Sequence, residues 1–424
     1  MNRTPIVEPM RLLWLTLADP DPPTNGQLIY SKGLIRSAAA AGAELHVIGL
    51  SRQEKDGSPE DAPGLRWTLY PRVAHSLAAK FLSPLPDVAI YAYSDQARAA
   101  LDRALLRHDW DAIVFDSISG AWALEPVLHH CRLADRPPAL VHIAHNHETT
   151  VARRIVGAAS GLRRLYRGVD TLKVALLERR LVAVSRLVTS NTPEDVATFE
   201  AMKREPVLFL PPGYDGPRVE ARTIDESVPR RAVLVGSYDW PPKRISLEKF
   251  LEVAAPRFAA ARVDLQIVGT AAPHYIEGLR RRFPGVTFTG PVADVRPYMA
   301  AARVALVPDL LGGFKLKGLD YVFNRLPICA MRIALPAMPL VDGESVGHFD
   351  SHEALADGVI ALIDDHATLN ARHERAWAAC IDAFDWPRLG RRLVDAIAKV
   401  PGHDLIPRSL VPILRDAASG RSSG

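Results

Sequence analysis

RLLWLTLADPDPPTNGQLIYSKGLIRSAAAAGAELHVIGL, residues 11–50, decides the fold. RLLWLTLA is a short, nearly continuous apolar run, the pattern of a strand buried on both faces. PPTNG is turn chemistry. From Gln27 to Ala41 the apolar residues take helical spacing, and Gly42 supplies the stop. AELHVIGL is a second buried strand. Strand, helix, strand at this spacing is a βαβ unit, and a crossover of that length implies parallel pairing.

The alternation continues outward from this unit. Further strands are expected at Trp67–Tyr70, Ala112–Phe115, Ala139–Ala144 and Leu187–Thr189, with helices between them. A second series begins near Arg231. AVLVGS, DLQIVGT, VTFTG, VALVP and LPICAM have strand character, and Ser246–Ala255 and Tyr275–Arg282 have helical spacing. Two successive βα series predict an α/β protein of two doubly wound, Rossmann-like domains. The expected boundaries are 1–213 for the first domain and 228–385 for the second. The polar, proline-rich PPGYDGPRVEARTIDESVP joins them. A late amphipathic helix, WPRLGRRLVDAIAKV, opens the segment 386–424, whose DAASGRSSG end has the composition of a disordered tail.

Composition narrows the function. The chain has 424 residues, 48% of them apolar, and a net charge of only +4, too balanced for a nucleic-acid binder. Its three cysteines, Cys131, Cys329 and Cys380, are far apart and form no CxxC, which predicts a reducing compartment. LLWLTLA ends in DPDPP and has strand rather than secretion-signal character. No apolar run approaches the roughly 20 residues that span a bilayer. The expected setting is therefore cytoplasmic. The arginine- and leucine-rich span 151–183 has two readings, a solvated basic helix or a contact with anionic lipid at the inner membrane face.

GGFKLKGLDYVFNRLPICA, residues 312–330, carries the chemistry. A strand, VALVP, leads into a loop with Gly312 and Gly313 and then a helix, an order that presents backbone N–H groups and a positive dipole end to an anion. Lys315 and Lys317 add two charges. Asp320 lies about one helical turn beyond Lys317, where a carboxylate can accept both hydroxyls of a ribose. Together these groups fit a nucleoside diphosphate, and the alternative is a solvated basic loop before a core helix. Neither first strand is followed by GxGxxG, and no GxxxxGK[ST] occurs, which weakens nicotinamide and NTPase readings.

The same stretch resembles the donor-binding region of glycosyltransferase family 4, a GT-B family. VLVGSYDWPPKRISLEKFLEVAAPRF, LQIVGTAAPHYIEGLRRRFPGVTFTGPVADVRPYMAAARVALVP, HNHE at 145 and FDWPRLGRRLVDAI resemble other parts of it. The resemblance implies two domains facing across a cleft, with the last helix crossing back to the first domain. It implies transfer of a sugar from a UDP- or GDP-linked donor to a carbohydrate, lipid-linked or small-molecule acceptor. Retention of configuration, no cofactor and no metal are also implied. His145, Lys243 and Lys317 take catalytic roles in that picture. Gly26, Gly236, Gly312, Gly313, Phe314, Lys315 and Asp320 hold the donor.

The chain departs from the family at several points. Gly312 stands where many members have a first glutamate, Asp320 replaces the second, and Asn324 and Arg325 replace a small residue and a glycine. His145 and His147 form an HxH pair without an evident third metal ligand. The amides of Gly313 and Phe314 are expected to join the lysines on the diphosphate. Two other readings stay open, another sugar-nucleotide or dinucleotide enzyme on Rossmann domains and a nucleotide-sugar binding protein without turnover.

Overall fold

The computed structural model describes residues 9–21, 25–52, 63–107, 109–157, 160–203, 205–239, 241–310 and 313–400. Gly312, Trp240, the PPT of the first loop and the C-terminal tail fall outside them. The chain divides into two compact units, one of residues up to Pro212 together with the segment from Trp386, the other Gly213–Asp385.

The first unit runs β1 (Arg11–Ala18), α1 (Gly26–Ala40), β2 (Glu44–Leu50), β3 (Leu65–Tyr70), α2 (Leu77–Leu82), α3 (Asp87–Ala92), α4 (Asp95–Arg107) and β4 (Ala112–Asp116). A 3-10 turn at Ile118–Ala123 leads to α5 (Leu124–Leu133), β5 (Ala139–Ala144), α6 (Glu148–Gly157), α7 (Gly161–Val184), β6 (Leu187–Ser190), α8 (Pro193–Met202) and β7 (Leu208–Phe209). The seven strands form one sheet in the order β3-β2-β1-β4-β5-β6-β7, every pair parallel. β1 shows why its sequence is apolar throughout. Leu13 and Leu15 enter the core on one face, and Leu12 and Trp14 enter the core on the other.

The second unit runs β8 (Arg231–Ser237), α9 (Pro241–Ala260), β9 (Asp264–Thr270), α10 (Pro273–Arg282), β10 (Val286–Phe288), α11 (Arg296–Ala300) and β11 (Val304–Val307). It continues with α12 (Leu316–Phe323), β12 (Ile328–Met331), β13 (Gly347–Phe349), α13 (His352–Leu362) and α14 (His366–Cys380). Its sheet order is β10-β9-β8-β11-β12-β13, again all parallel. In each unit the strand order reverses beside the first strand, between β1 and β4 and between β8 and β11, the place where open α/β sheets bind ligands.

The last helix, α15 (Trp386–Lys399), belongs to the first unit. Trp386, Leu389, Leu393 and Ile397 are buried with α1 residues Tyr30, Leu34 and Ile35. Gly33 permits this approach, because a Cβ there would come 2.0 Å from the Trp386 ring.

Two helices begin earlier than their spacing suggests. α9 starts at Pro241 and α10 at Pro273. Proline reads as loop punctuation, yet its missing N–H costs nothing in a first turn. β13 was not foreseen, since GHF is too short to show alternation.

Candidate functional site

In the second unit, three lysines gather around one buried aspartate at the β8–β11 switch point. Asp309 follows β11. Lys317, on the first turn of α12, reaches back to it, with Nζ 2.5 Å from Oδ2. Burial pushes the Asp309 carboxyl up, but Lys317, by charge and hydrogen bond, then Lys315 and Lys243, outweigh it and hold it below its ordinary value. Lys243 comes from the first turn of α9, after β8, and is half-buried. Burial, and then the Lys317 charge, hold its ammonium below its ordinary value. Three ammonium groups set around buried Asp309 at strand carboxyl ends concentrate positive charge where an anion can enter.

The approach to α12 is shaped for such a contact. Gly313 has φ 90°, the left-handed region open to glycine, and Lys315 is the N-cap of α12. Phe314 turns toward the core and meets Phe384 edge-on at 5.8 Å. Gly236 is the penultimate residue of β8 and is half-buried. Gly269 of β9, at φ 140°, packs so closely that a Cβ would come 1.7 Å from the Gly236 carbonyl oxygen.

Asp320 sits one turn after Lys317 on the same helix. Burial raises its carboxyl from 3.8 to about 6, against a hydrogen bond from Tyr214 that lowers it. The Tyr214 hydroxyl also lies 3.4 Å from the Pro217 carbonyl. Its ring stacks on Phe323 with centroids 4.5 Å apart. Behind Asp320 the helix closes in a Schellman motif, with Leu326 N–H donating to Tyr321 and Arg325 N–H to Val322. Arg325 takes φ 52° where the resembling family has glycine. The strain is offset by its guanidinium, which donates to the Val219 carbonyl at 2.8 Å and pairs with Glu374 at 2.6 Å.

The raised Asp320 value carries a sign. An acid whose folded value lies above its unfolded one costs stability as pH rises between the two, here from 3.8 to about 6, and the cost stands in full above that. A diol donating to the carboxylate offsets this cost. Nucleotide affinity is therefore expected to rise about tenfold between about pH 5 and 7. A calorimetric pH series checks it, and Asp320→Asn should give a flat profile.

In the first unit the sheet presents a second buried acid. Asp116, the last residue of β4, is fully buried and pairs with His145 Nε2 at 2.6 Å. Trp14 Nε1 and Thr16 Oγ1 each donate to its other oxygen at 3.0 Å. Burial pushes this carboxyl up, but the His145 charge and hydrogen bond, with those from Trp14 and Ser31, hold it below its ordinary value. An ionised carboxylate only accepts, so Nε2 carries the hydrogen of this bond. The Tyr30 ring meets His145 edge-on at 5.0 Å and fixes its plane. Ser117, directly after Asp116, has φ 69° and ψ 169°. A non-glycine residue there costs on the order of 1–3 kcal/mol.

His147 points elsewhere. Its Nδ1 pairs with Thr150 at 2.7 Å, and its Nε2 lies 3.3 Å from Glu178. Among the described residues no group of three or more His, Cys, Asp or Glu side chains is placed to hold a metal. Gly26 is the exposed first residue of α1, and Asn25 caps that helix by accepting from Leu28 N–H at 3.1 Å.

The structure thus gathers Lys243, Lys315 and Lys317 and sets Asp320 on the same helix as Lys317. It places His145 and Gly26 in the other unit. Asp309, Asp116 and Tyr214 went unread in the sequence. The two aspartates share one signal, an acid ending or just following an apolar strand beside the switch point. Tyr214 has none, since it reaches Asp320 from the linker.

Residues 229–365 match the family model described as Glycosyl transferases group 1. The second unit carries a group 1 glycosyltransferase domain. Solved structures extend the likeness to the whole fold. Sucrose-phosphate synthase of Thermosynechococcus elongatus is 17% identical, with 92% of this chain and 98% of that one covered at a TM-score of 0.65. WaaG, a glycosyltransferase involved in lipopolysaccharide biosynthesis, is 19% identical, covering 92% and 100% at 0.61. Anabaena HepE in complex with UDP and glucose is 15% identical, covering 92% and 100% at 0.60. At these identities the likeness establishes the GT-B fold, two Rossmann-like domains. No curated protein matches the chain. In the glycosyltransferase domain, the matched span includes all three lysines, Asp309 and Asp320.

Proposed function

We propose that the chain is a retaining, metal-independent glycosyltransferase that moves a sugar from a UDP- or GDP-linked donor to a carbohydrate, lipid-linked or small-molecule acceptor. The observation that carries this reading is the lysine cluster around Asp309 at the switch point. A diphosphate entering there accepts hydrogen bonds from Lys243, Lys315 and Lys317. As the bond between the anomeric carbon and the diphosphate oxygen breaks, negative charge grows on that oxygen, and the lysines with the Gly313 and Phe314 amides stabilise it. Groups of this kind are typically worth about 3 kcal/mol each. The acceptor hydroxyl oxygen bonds the anomeric carbon on the face the diphosphate leaves, and its proton passes to the departing phosphate. Asp320 accepts the ribose diol, with Tyr214 holding its carboxylate in place.

HepE has been solved with UDP-glucose, which supports a donor of this class. Gly236 and Gly26 complete the donor contacts in this reading, and His145, held by Asp116, steadies the sugar. Residues 151–183 supply a membrane contact at the inner face. Among the described residues no helix is long and apolar enough to cross a membrane.

The test is a thermal-shift screen against nucleoside diphosphates and nucleotide sugars, followed by detection of released nucleoside diphosphate with an acceptor panel. A ligand at 100 times its Kd is expected to add about 2.7 kcal/mol of stability. Stabilisation by UDP- or GDP-sugars with turnover is the predicted result. No shift with any nucleotide removes the reading, and a shift without turnover leaves a binding protein.

A further inference from the structure

α7 has two opposed faces, and four of its six leucines lie on the one away from the core. Val174, Glu178 and Leu181 are buried against the first unit. Leu162, Leu165, Leu172 and Leu176 are 87%, 67%, 66% and 68% exposed. With Val169 between them they recur three and four residues apart, which puts them on one face about 21 Å long. Leu172 lies two residues before buried Val174, about 200° round the helix. The stripe therefore points away from the core.

A second element continues this surface. α2 buries no residue, yet its Leu77, Phe81 and Leu82 are 54–81% exposed. Lys173 of α7 ties the two helices together, donating to the Lys80 and Phe81 carbonyls at 2.9 Å each. Two tethered helices thus share exposed leucine and phenylalanine side chains, more than scattered surface apolar residues require.

The charge around this surface selects its partner. Residues 151–183 hold eight Lys or Arg against two acids, a net +6, while the whole chain is only +4. Arg163, Arg164 and Arg179 on α7, and Arg153 and Arg154 on neighbouring α6, are exposed. An apolar face carrying this much positive charge matches a bilayer with anionic headgroups, where leucines enter the acyl boundary and arginines meet phosphates. We infer that α2 and the outward face of α7 form a docking surface for anionic lipid, parallel to the membrane and without a spanning segment. This deepens the reading of 151–183 as a membrane contact, on which it rests only for its role in acceptor access.

Co-sedimentation of the full chain with vesicles tests it. Wild-type protein is expected to pellet with phosphatidylcholine–phosphatidylglycerol vesicles, to stay in solution with phosphatidylcholine alone, and to be released by salt. Leu165→Glu with Leu172→Glu should lower partitioning at least about tenfold. Arg163→Glu with Arg164→Glu should lower it about tenfold or more on the anionic vesicles only. All four substituted side chains of α7 are solvent-exposed in the folded chain, so nucleotide thermal shifts of the variants should match wild type. That control separates failure of this surface from failure of the donor site.

Equal partitioning of wild type and the leucine variant overturns the inference, as does equal binding to neutral and anionic vesicles or to neither. A dimer in sedimentation velocity that the leucine variant dissolves, without vesicle binding, assigns the stripe to a second copy instead.

Discussion

Lys317→Ala is expected to lower kcat/KM for sugar transfer by about 10²–10³, the loss typical of removing one preorganised donor from developing negative charge. The effect should fall on kcat as well as KM, because charge on the leaving diphosphate is greater in the transition state than in the bound donor. Lys317 also holds Asp309 at 2.5 Å, so its removal takes away that buried carboxylate's hydrogen-bonded partner. Breaking a buried pair from one side costs about 3–5 kcal/mol, and the side chains here, 17% and 12% exposed, are close to that limit. The double variant Lys317→Ala with Asp309→Asn separates the two effects. It should recover stability without recovering turnover. Recovery of both would make Lys317 a structural partner of Asp309 alone.

Asp116→Ala is expected to destabilise the first unit by about 3–5 kcal/mol, read as a lowered denaturant midpoint. Its carboxylate is the acceptor for Trp14, Thr16 and His145, and the substitution leaves these buried donors without it. The pH dependence follows from its lowered value. The stabilisation is fully present above the unfolded aspartate value and is lost as pH falls through the still lower folded one. Wild type and Asp116→Ala should therefore converge in stability only in strong acid. Asp116→Asn keeps the shape and removes the charge, and it should lie between them. If it matches wild type at neutral pH, the ion pair with His145 contributes nothing and the carboxylate acts only as a hydrogen-bond acceptor.

What the sequence made legible follows physical lines. β1, β4 and β5 could be read because both faces of each are buried, which leaves continuous apolar runs between turn residues. α2 could not, because LAAKFL buries nothing and so shows no period. Lys317 and Asp320 were legible because the helix that pairs them is local. Asp309 and Asp116 were not, because their partners come from other elements: Lys243 from α9, and Trp14, Ser31 and His145 from β1, α1 and the end of β5. Arg325 in place of glycine was visible as a departure, but its compensation by Val219 and Glu374 exists only after folding.

The central claim is that the lysines around Asp309 hold a diphosphate. Isothermal titration of UDP and GDP, their monophosphates and pyrophosphate tests it most directly, on wild type and on Lys243→Ala with Lys317→Ala. The account predicts that a nucleoside diphosphate binds wild type at least about tenfold tighter than its monophosphate, that pyrophosphate competes, and that the double variant loses this preference. Equal affinity for mono- and diphosphates, or a double variant that binds as wild type does, would contradict it.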